Sequence, residues 1–130
     1  MDRTPRRILI VDDEPPLLRM MGLFLGRHGY TVTTADSTDK AWTLAEANPS
    51  GFDLGVLDGS MAGMGMEELA SRLLSANPSI CILAASGYHV DIDALSAKAP
   101  GRVAFLLKPF TPQSLAAAVG ELLAAQEKDV

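Results

Sequence analysis

The chain has 130 residues, 48% of them hydrophobic and 21% charged, which is typical of one globular domain with its own core. Its formal net charge of −5 at pH 7 argues against a nucleic-acid-binding surface, because such a surface needs a basic face. The single cysteine, Cys81, excludes an intrachain disulfide, and no apolar run is long enough for a membrane helix. These features predict a cytoplasmic protein that contacts neither membrane nor nucleic acid.

Five short apolar runs predict β-strands. Several of them are almost wholly apolar, as in parallel strands that are covered on both faces. In chain order the predicted strands are residues 8–11, 31–34, 54–57, 80–85 and 103–107.

The segments between these runs have the i, i+3, i+4, i+7 apolar spacing of amphipathic helices. The segment 89–98 is short and poorly patterned, and it is the weakest of the predicted helices. Thr111 before Pro112 is typical of an N-cap followed by proline at the first helical position. Ser37 is a candidate N-cap for the second helix, and Gly29 is a candidate terminus for the first.

The strict alternation of five β–α pairs predicts an α/β fold with a doubly wound parallel sheet and right-handed crossovers. We interpret residues 1–130 as one domain, with a core over about residues 6–125 and short flexible tails. In such sheets, ligands bind beyond the carboxyl ends of the strands, where the strand order switches direction.

Polar side chains occur at four of the five predicted strand ends. Asp12 and Asp13 follow the first strand, Asp58 follows the third, Ser86 the fourth and Lys108 the fifth. Because parallel strands end at one edge of a sheet, these residues are expected to form one site.

Three carboxylates in one cleft repel each other, and a hard divalent cation such as Mg²⁺ relieves that repulsion with oxygen ligands. Lys108 adds a positive charge that can pair with a phosphoryl oxygen, and Ser86 can donate its hydroxyl to another. Aspartate can act as a nucleophile that forms an aspartyl-phosphate. The residues therefore favour phosphoryl chemistry.

Four stretches resemble the receiver domain of two-component response regulators. They are ILIVDDE at 8–14, LDGSMAGM at 57–64, ILAASGY at 82–88 and FLLKPF at 105–110. The resemblance implies a CheY-like, flavodoxin-like (βα)5 fold, with the five strands in the order 2-1-3-4-5.

The resemblance also implies that Asp58 accepts a phosphoryl group from a phosphohistidine on a histidine kinase or a histidine phosphotransfer domain. Mg²⁺ is the implied cofactor, held by Asp12, Asp13, Asp58 and the backbone carbonyl of Ser60. Lys108 is implied to assist the transfer. Such a domain is a phosphoacceptor switch, which assists only its own phosphorylation and dephosphorylation, rather than an enzyme.

Ser86 and Phe105 resemble the switch pair of the family, in which the aromatic ring turns inward as the hydroxyl moves toward the phosphoryl group. The surface of the fourth helix, fifth strand and fifth helix is then the expected partner-binding face, on a monomer or weak homodimer. The Lys108–Pro109 peptide bond is cis in relatives and is predicted to be cis here.

Simpler interpretations exist for each residue. Asp13 can be a helix N-cap, Asp58 a turn residue and Lys108 a solvated surface lysine. At the level of function, the alternatives are a receiver-like interaction module that is not phosphorylated, and an aspartate-nucleophile phosphatase or nucleotide-binding enzyme. The enzyme alternative lacks both an Asp-x-Asp nucleophile motif and a phosphate-binding glycine loop.

Overall fold

The computed structural model describes residues 5–59, 63–88 and 91–127 of the chain. Strands and helices alternate strictly over these residues. The elements are β1 (Arg7–Val11), α1 (Pro15–Arg27), β2 (Thr31–Ala35), α2 (Thr38–Ala47), β3 (Leu54–Asp58), α3 (Met66–Ala76), β4 (Cys81–Ser86), α4 (Asp93–Lys98), β5 (Val103–Leu107) and α5 (Pro112–Glu127).

The five strands form one parallel sheet in the order β2-β1-β3-β4-β5. This confirms the predicted α/β class and the predicted strand order. Each strand begins and ends within one residue of its prediction, whereas α4 has only six residues and is shorter than the segment 89–98 that predicted it.

Alternate residues of each inner strand pack against opposite faces of the sheet, because successive side chains of a strand point in opposite directions. In β1, Ile8 and Ile10 join a buried cluster with side chains of α1 and α5. Leu9 and Val11 join a second cluster with side chains of α2, α3 and α4. Among the described residues, no helix has both the length and the apolar character needed to cross a membrane.

The central strands β3 and β4 are buried along their whole length. The edge strand β2 is instead rich in threonine, and its Thr31 and Thr34 are exposed. Burial on both faces therefore explains why the runs that became β3 and β4 are apolar, and exposure at the sheet edge explains why β2 is not.

Three predicted helix boundaries are confirmed. The Ser37 hydroxyl accepts a hydrogen bond from the Lys40 N–H at 3.1 Å, and the Thr111 hydroxyl accepts one from the Ser114 N–H at 3.0 Å. Gly29 follows α1 with φ of 92°, a conformation that glycine adopts without steric cost.

Candidate functional site

The sheet brings the predicted site residues to one edge. Asp12 directly follows β1, Asp58 and Ser86 are the last residues of β3 and β4, and Lys108 directly follows β5. The register pairs Asp58 with Ala85, so Asp58 lies beside the end of β4. The candidate site thus lies at the carboxyl edge of the sheet, as predicted.

Three carboxylates converge at this edge. One carboxylate oxygen from each of Asp12, Asp13 and Asp58 lies within 4.8 Å of the other two. Asp12 and Asp58 are only 1% and 2% exposed, whereas Asp13 is exposed. Burying negative charge is costly without a compensating charge or hydrogen bonds, so nearby cations would stabilise this cluster.

Lys108 supplies one of those cations. Its Nζ donates a hydrogen bond to Asp12 Oδ2 at 2.9 Å and lies 3.3 Å from Asp58 Oδ1. Its side chain is only 14% exposed, so the solvated-lysine interpretation is wrong. Burial by itself lowers the pKa of the Lys108 ammonium, but the hydrogen bond and charge of Asp12, followed by those of Asp58, outweigh burial and raise the pKa above its ordinary value.

The Asp12 carboxylate is held from two sides. Its Oδ2 accepts the Lys108 hydrogen bond, and its Oδ1 accepts a second from the backbone N–H of Glu14 at 2.9 Å. Glu14, not Asp13, is the N-cap residue of α1, and the Glu14 side chain makes no capping hydrogen bond. The interpretation of Asp13 as a helix cap is therefore wrong, and its exposed carboxylate is available to a ligand.

Ser86 is fully buried, and its hydroxyl oxygen accepts a hydrogen bond from the Tyr88 backbone N–H at 3.3 Å. Its backbone carbonyl accepts one from the Lys108 N–H at 2.7 Å. Phe105 of β5 pairs with Ala84 of β4 in the sheet register. Its partly buried side chain packs against the cluster that Leu9 and Val11 form with side chains of α2, α3 and α4. Ser86 follows Ile82 and Ala84 on the same face of β4, so both candidate switch residues lie on the face of the sheet that α2, α3 and α4 cover.

The Lys108–Pro109 peptide bond is cis, as predicted. An open cleft of about 430 Å³ lies beside Lys108. It is lined by Glu14, Leu17, Gly87, Lys108, Pro109 and Phe110. Ser60, whose carbonyl is the remaining predicted metal ligand, lies outside the described residues.

The residues at this edge fit Mg²⁺ by the chemistry of their donors. The three aspartates offer carboxylate oxygens, and two of these residues, Asp12 and Asp58, are buried. No nitrogen or sulfur ligand belongs to the cluster found among the described residues. Mg²⁺ prefers oxygen ligands and is commonly held by one or two carboxylates with water and phosphate oxygens completing its shell. The cluster is therefore suited to a hard divalent cation rather than to zinc.

Tyr88 is a site residue that the sequence analysis missed. Its phenol hydroxyl donates a hydrogen bond to the carbonyl of Gly59 at 3.2 Å, directly after Asp58. The sequence analysis included it only as the last residue of the ILAASGY stretch at 82–88, and that position does not reveal where the ring points.

The doubly wound sheet with an acidic cluster and a lysine at its carboxyl edge defines a receiver-type α/β domain. Residues 8–120 match the family model of the response regulator receiver domain, and the chain belongs to this family. Receiver domains are phosphoacceptor switches of two-component systems, which bind Mg²⁺ and interact with histidine kinases or phosphotransfer proteins.

Similar proteins agree with this assignment. The chain is 35% identical over 121 residues to the sensor kinase CckA of Brucella abortus, covering 92% of this chain and 13% of that protein. A receiver domain protein (CheY-like) from Methanospirillum hungatei superposes with a TM-score of 0.82 and 27% identity, covering 98% of this chain and 100% of that one. Response regulator protein TrrA from Thermotoga maritima, in complex with Mg²⁺-BeF, superposes with a TM-score of 0.76 and 28% identity. The superposition covers 90% of this chain and 98% of that one.

The chain spans about half the length, or less, of the curated relatives that it matches. The shares include 27%, 43%, 51% and 55% of proteins that carry the names of transcriptional or response regulators. The similarity to those proteins therefore concerns their receiver portion.

Proposed function

We propose that the chain is a single receiver domain that accepts a phosphoryl group on Asp58, in an Mg²⁺-dependent reaction, from a phosphohistidine of a histidine kinase or phosphotransfer domain. The observation that supports this most strongly is the convergence of the Asp12, Asp13 and Asp58 carboxylates within 4.8 Å, with the Lys108 ammonium 3.3 Å from Asp58. This arrangement combines a buried nucleophile with charges that can bind a phosphoryl group.

Asp12, Asp13 and Asp58, with the Ser60 carbonyl, are the residues that would hold Mg²⁺. The ion, when bound, supplies positive charge that offsets the repulsion between an anionic nucleophile and an anionic donor. Asp12 is oriented for this role by its hydrogen bonds from Glu14 and Lys108. Asp13 is exposed and can enter the metal shell without breaking an ion pair found among the described residues.

In the transfer, a carboxylate oxygen of Asp58 attacks the phosphorus of the phosphohistidine. An O–P bond forms, the P–N bond breaks, and the imidazole leaves with the electron pair of that bond. Lys108 holds the carboxylate through Oδ1 and then pairs with a phosphoryl oxygen. The product is an acyl phosphate on Asp58.

Ser86 and Phe105 form the proposed readout of the phosphoryl group. The Ser86 hydroxyl turns toward a phosphoryl oxygen, and Phe105 fills the space that Ser86 leaves. Phe105 packs against the cluster that includes side chains of α4, so the change biases the surface of α4, β5 and α5 between two states. Leu107, the last residue of β5, is 55% exposed.

Intact mass spectrometry after treatment with acetyl phosphate and Mg²⁺ tests the acceptor. The wild-type protein should gain the mass of one phosphoryl group, and Asp58→Asn should gain none. Asp36→Asn is the matched control, because Asp36 is an exposed aspartate just after β2 and should leave the gain intact.

An undiminished gain in Asp58→Asn, or no gain in the wild-type protein, would reject Asp58 as the acceptor. No gain in the wild type would also favour the alternative, a receiver-like interaction module that is not phosphorylated. Omission of Mg²⁺ should slow the gain strongly, and an unchanged rate in a chelator would reject the metal dependence.

A further inference from the structure

Tyr88 links the ends of two neighbouring strands at the candidate site. Its phenol hydroxyl donates to the Gly59 carbonyl at 3.2 Å, and its backbone N–H donates to the Ser86 hydroxyl oxygen at 3.3 Å. One residue therefore contacts both the residue after the acceptor and the candidate switch hydroxyl.

The backbone closes this link into a ring. The N–H of Gly59 donates to the carbonyl of Ala85 at 2.7 Å, and Asp58 lies opposite Ala85 in the register of β3 and β4. Gly59 is thus held by β4 through its N–H and by Tyr88 through its carbonyl. Movement of Tyr88 would consequently change the hydrogen bonds at the ends of both β3 and β4.

We propose that Tyr88 is a latch on the unphosphorylated state, a positioning residue that holds the Ser86 hydroxyl away from Asp58 and thereby opposes switching. The latch rests on the proposed function, since it acts on a phosphoryl group carried by Asp58. The Tyr88 N–H donates to the Ser86 hydroxyl oxygen and so opposes its displacement, while the hydroxyl hydrogen is the donor that a phosphoryl oxygen would accept.

The geometry explains why the Ser86 hydroxyl and Tyr88 are coupled. To approach the phosphoryl group, Ser86 Oγ must leave the N–H of Tyr88, and the position of that N–H is fixed by the phenol bond to Gly59. Loss of the hydrogen bond between the Tyr88 phenol and the Gly59 carbonyl would let the Tyr88 backbone N–H move. The Ser86 hydroxyl would then separate from that N–H more easily.

The geometry also limits the strength of the latch. The N–H···O bond to Ser86 at 3.3 Å is longer than the usual value of about 2.9–3.0 Å, and the O–H···O bond to Gly59 at 3.2 Å is longer than the usual value of about 2.7–2.8 Å. The Tyr88 residue is 58% exposed. Long, exposed hydrogen bonds contribute little to stability. The latch therefore biases the equilibrium between the two states without preventing the switch.

The affinity for Mg²⁺-beryllofluoride, an analogue of the bound phosphoryl group, measures this bias. Tyr88→Phe removes only the phenol hydroxyl, and it should bind the analogue about 2- to 10-fold more tightly than wild type, the effect of losing one hydrogen bond from the competing state. Tyr30→Phe is the matched control, since Tyr30 is the only other tyrosine, and its affinity should equal that of wild type. Damage to the fold weakens binding, so the direction of the change separates the latch from a structural effect.

A double-mutant cycle tests whether the latch acts through Ser86. In a Ser86→Ala background, the gain from Tyr88→Phe should disappear, because no hydroxyl remains to be released. Unchanged or weaker binding by Tyr88→Phe, or a full gain in the Ser86→Ala background, would overturn the latch.

Fluorine NMR of wild-type protein labelled with 3-fluorotyrosine needs no substitution at Tyr88. Addition of Mg²⁺-beryllofluoride should shift the Tyr88 resonance but not that of Tyr30, and the shift should shrink in Ser86→Ala. An unmoved Tyr88 resonance in analogue-bound protein would overturn the latch alone. A wild-type protein that neither binds the analogue nor gains phosphoryl mass would overturn both the latch and the proposed acceptor.

Discussion

Lys108 Nζ donates a hydrogen bond to Asp12 Oδ2 at 2.9 Å, although the two residues are 96 positions apart in the chain. They follow β5 and β1, which are not neighbours, because β3 and β4 lie between them in the sheet. The lysine side chain thus reaches across the ends of two strands, and its Nζ also lies 3.3 Å from Asp58 Oδ1. Lys108 is thus a cation that contacts both buried carboxylates of the cluster.

Lys108→Met should destabilise the protein when no divalent cation is present. The substitution keeps the approximate length of the side chain and leaves the Asp12 and Asp58 carboxylates buried without their cation, which costs about 3 kcal/mol by the precedent of other broken buried pairs. Urea unfolding in a chelator measures the loss. Mg²⁺ should restore part of the lost stability, and equal stability of the variant and wild type in the chelator would contradict the ion-pair account.

The free energy of unfolding should fall in alkaline solution through the titration of Lys108. Because Asp12 and Asp58 raise its pKa in the folded protein, its stabilising contribution is complete below the unfolded value of about 10.4 and is lost as pH rises through the higher folded value. Urea unfolding from about pH 9 to about pH 11.5 should show this decline. Lys108→Met should show a smaller decline than wild type, whereas Lys40→Met, which removes an exposed lysine, should decline like wild type.

Asp13→Asn should separate metal binding from fold stability. Asp13 is exposed, and its loss relieves repulsion with Asp12 and Asp58, so the variant should be at least as stable as wild type in a chelator. Saturating Mg²⁺ should stabilise wild type by about 2.7 kcal/mol at 100 times its dissociation constant, and Asp13→Asn should lose most of this gain. Thermal unfolding with and without Mg²⁺ gives both quantities, and Asp36→Asn should respond like wild type.

Two glycines should respond to alanine in opposite directions. Gly120 lies within α5, and a methyl group there would meet no atom within 4 Å among the described residues, so Gly120→Ala should stabilise the protein by about 0.5–1 kcal/mol. Gly29 has φ of 92°, so Gly29→Ala should destabilise it by about 1–2 kcal/mol. Urea unfolding distinguishes the two effects, and a loss of stability in Gly120→Ala would mean that α5 is packed more tightly than described.

The sequence was sufficient for the sheet and for the position of the site. Apolar runs such as residues 54–57 reveal strands that are buried on both faces, and a polar residue directly after such a run must lie at the carboxyl edge. That reasoning placed Asp12, Asp58 and Lys108 together without any information on side-chain orientation.

The contacts between side chains could not be predicted from apolar runs and the residues that follow them. The phenol of Tyr88 reaches Gly59 across 29 positions, and the Arg72 guanidinium lies 5.6 Å from the ring centre of Trp42 on the neighbouring helix α2. Such contacts depend on rotamers and on the spacing of packed elements, and neither leaves a periodic signal in the chain. The short α4 was equally poorly predicted, because six residues are too few for a helical period to emerge.

The ion pair between Lys108 and Asp12 also has a consequence for biosynthesis. Its two members come from the first and fifth strands of the sheet, so a ribosome must deliver both before the acidic cluster gains its protein cation. A nascent chain that has only its first four strands carries Asp12, Asp13 and Asp58 without the lysine that contacts two of them. The acidic cluster therefore gains this cation late in synthesis, when the fifth strand is added.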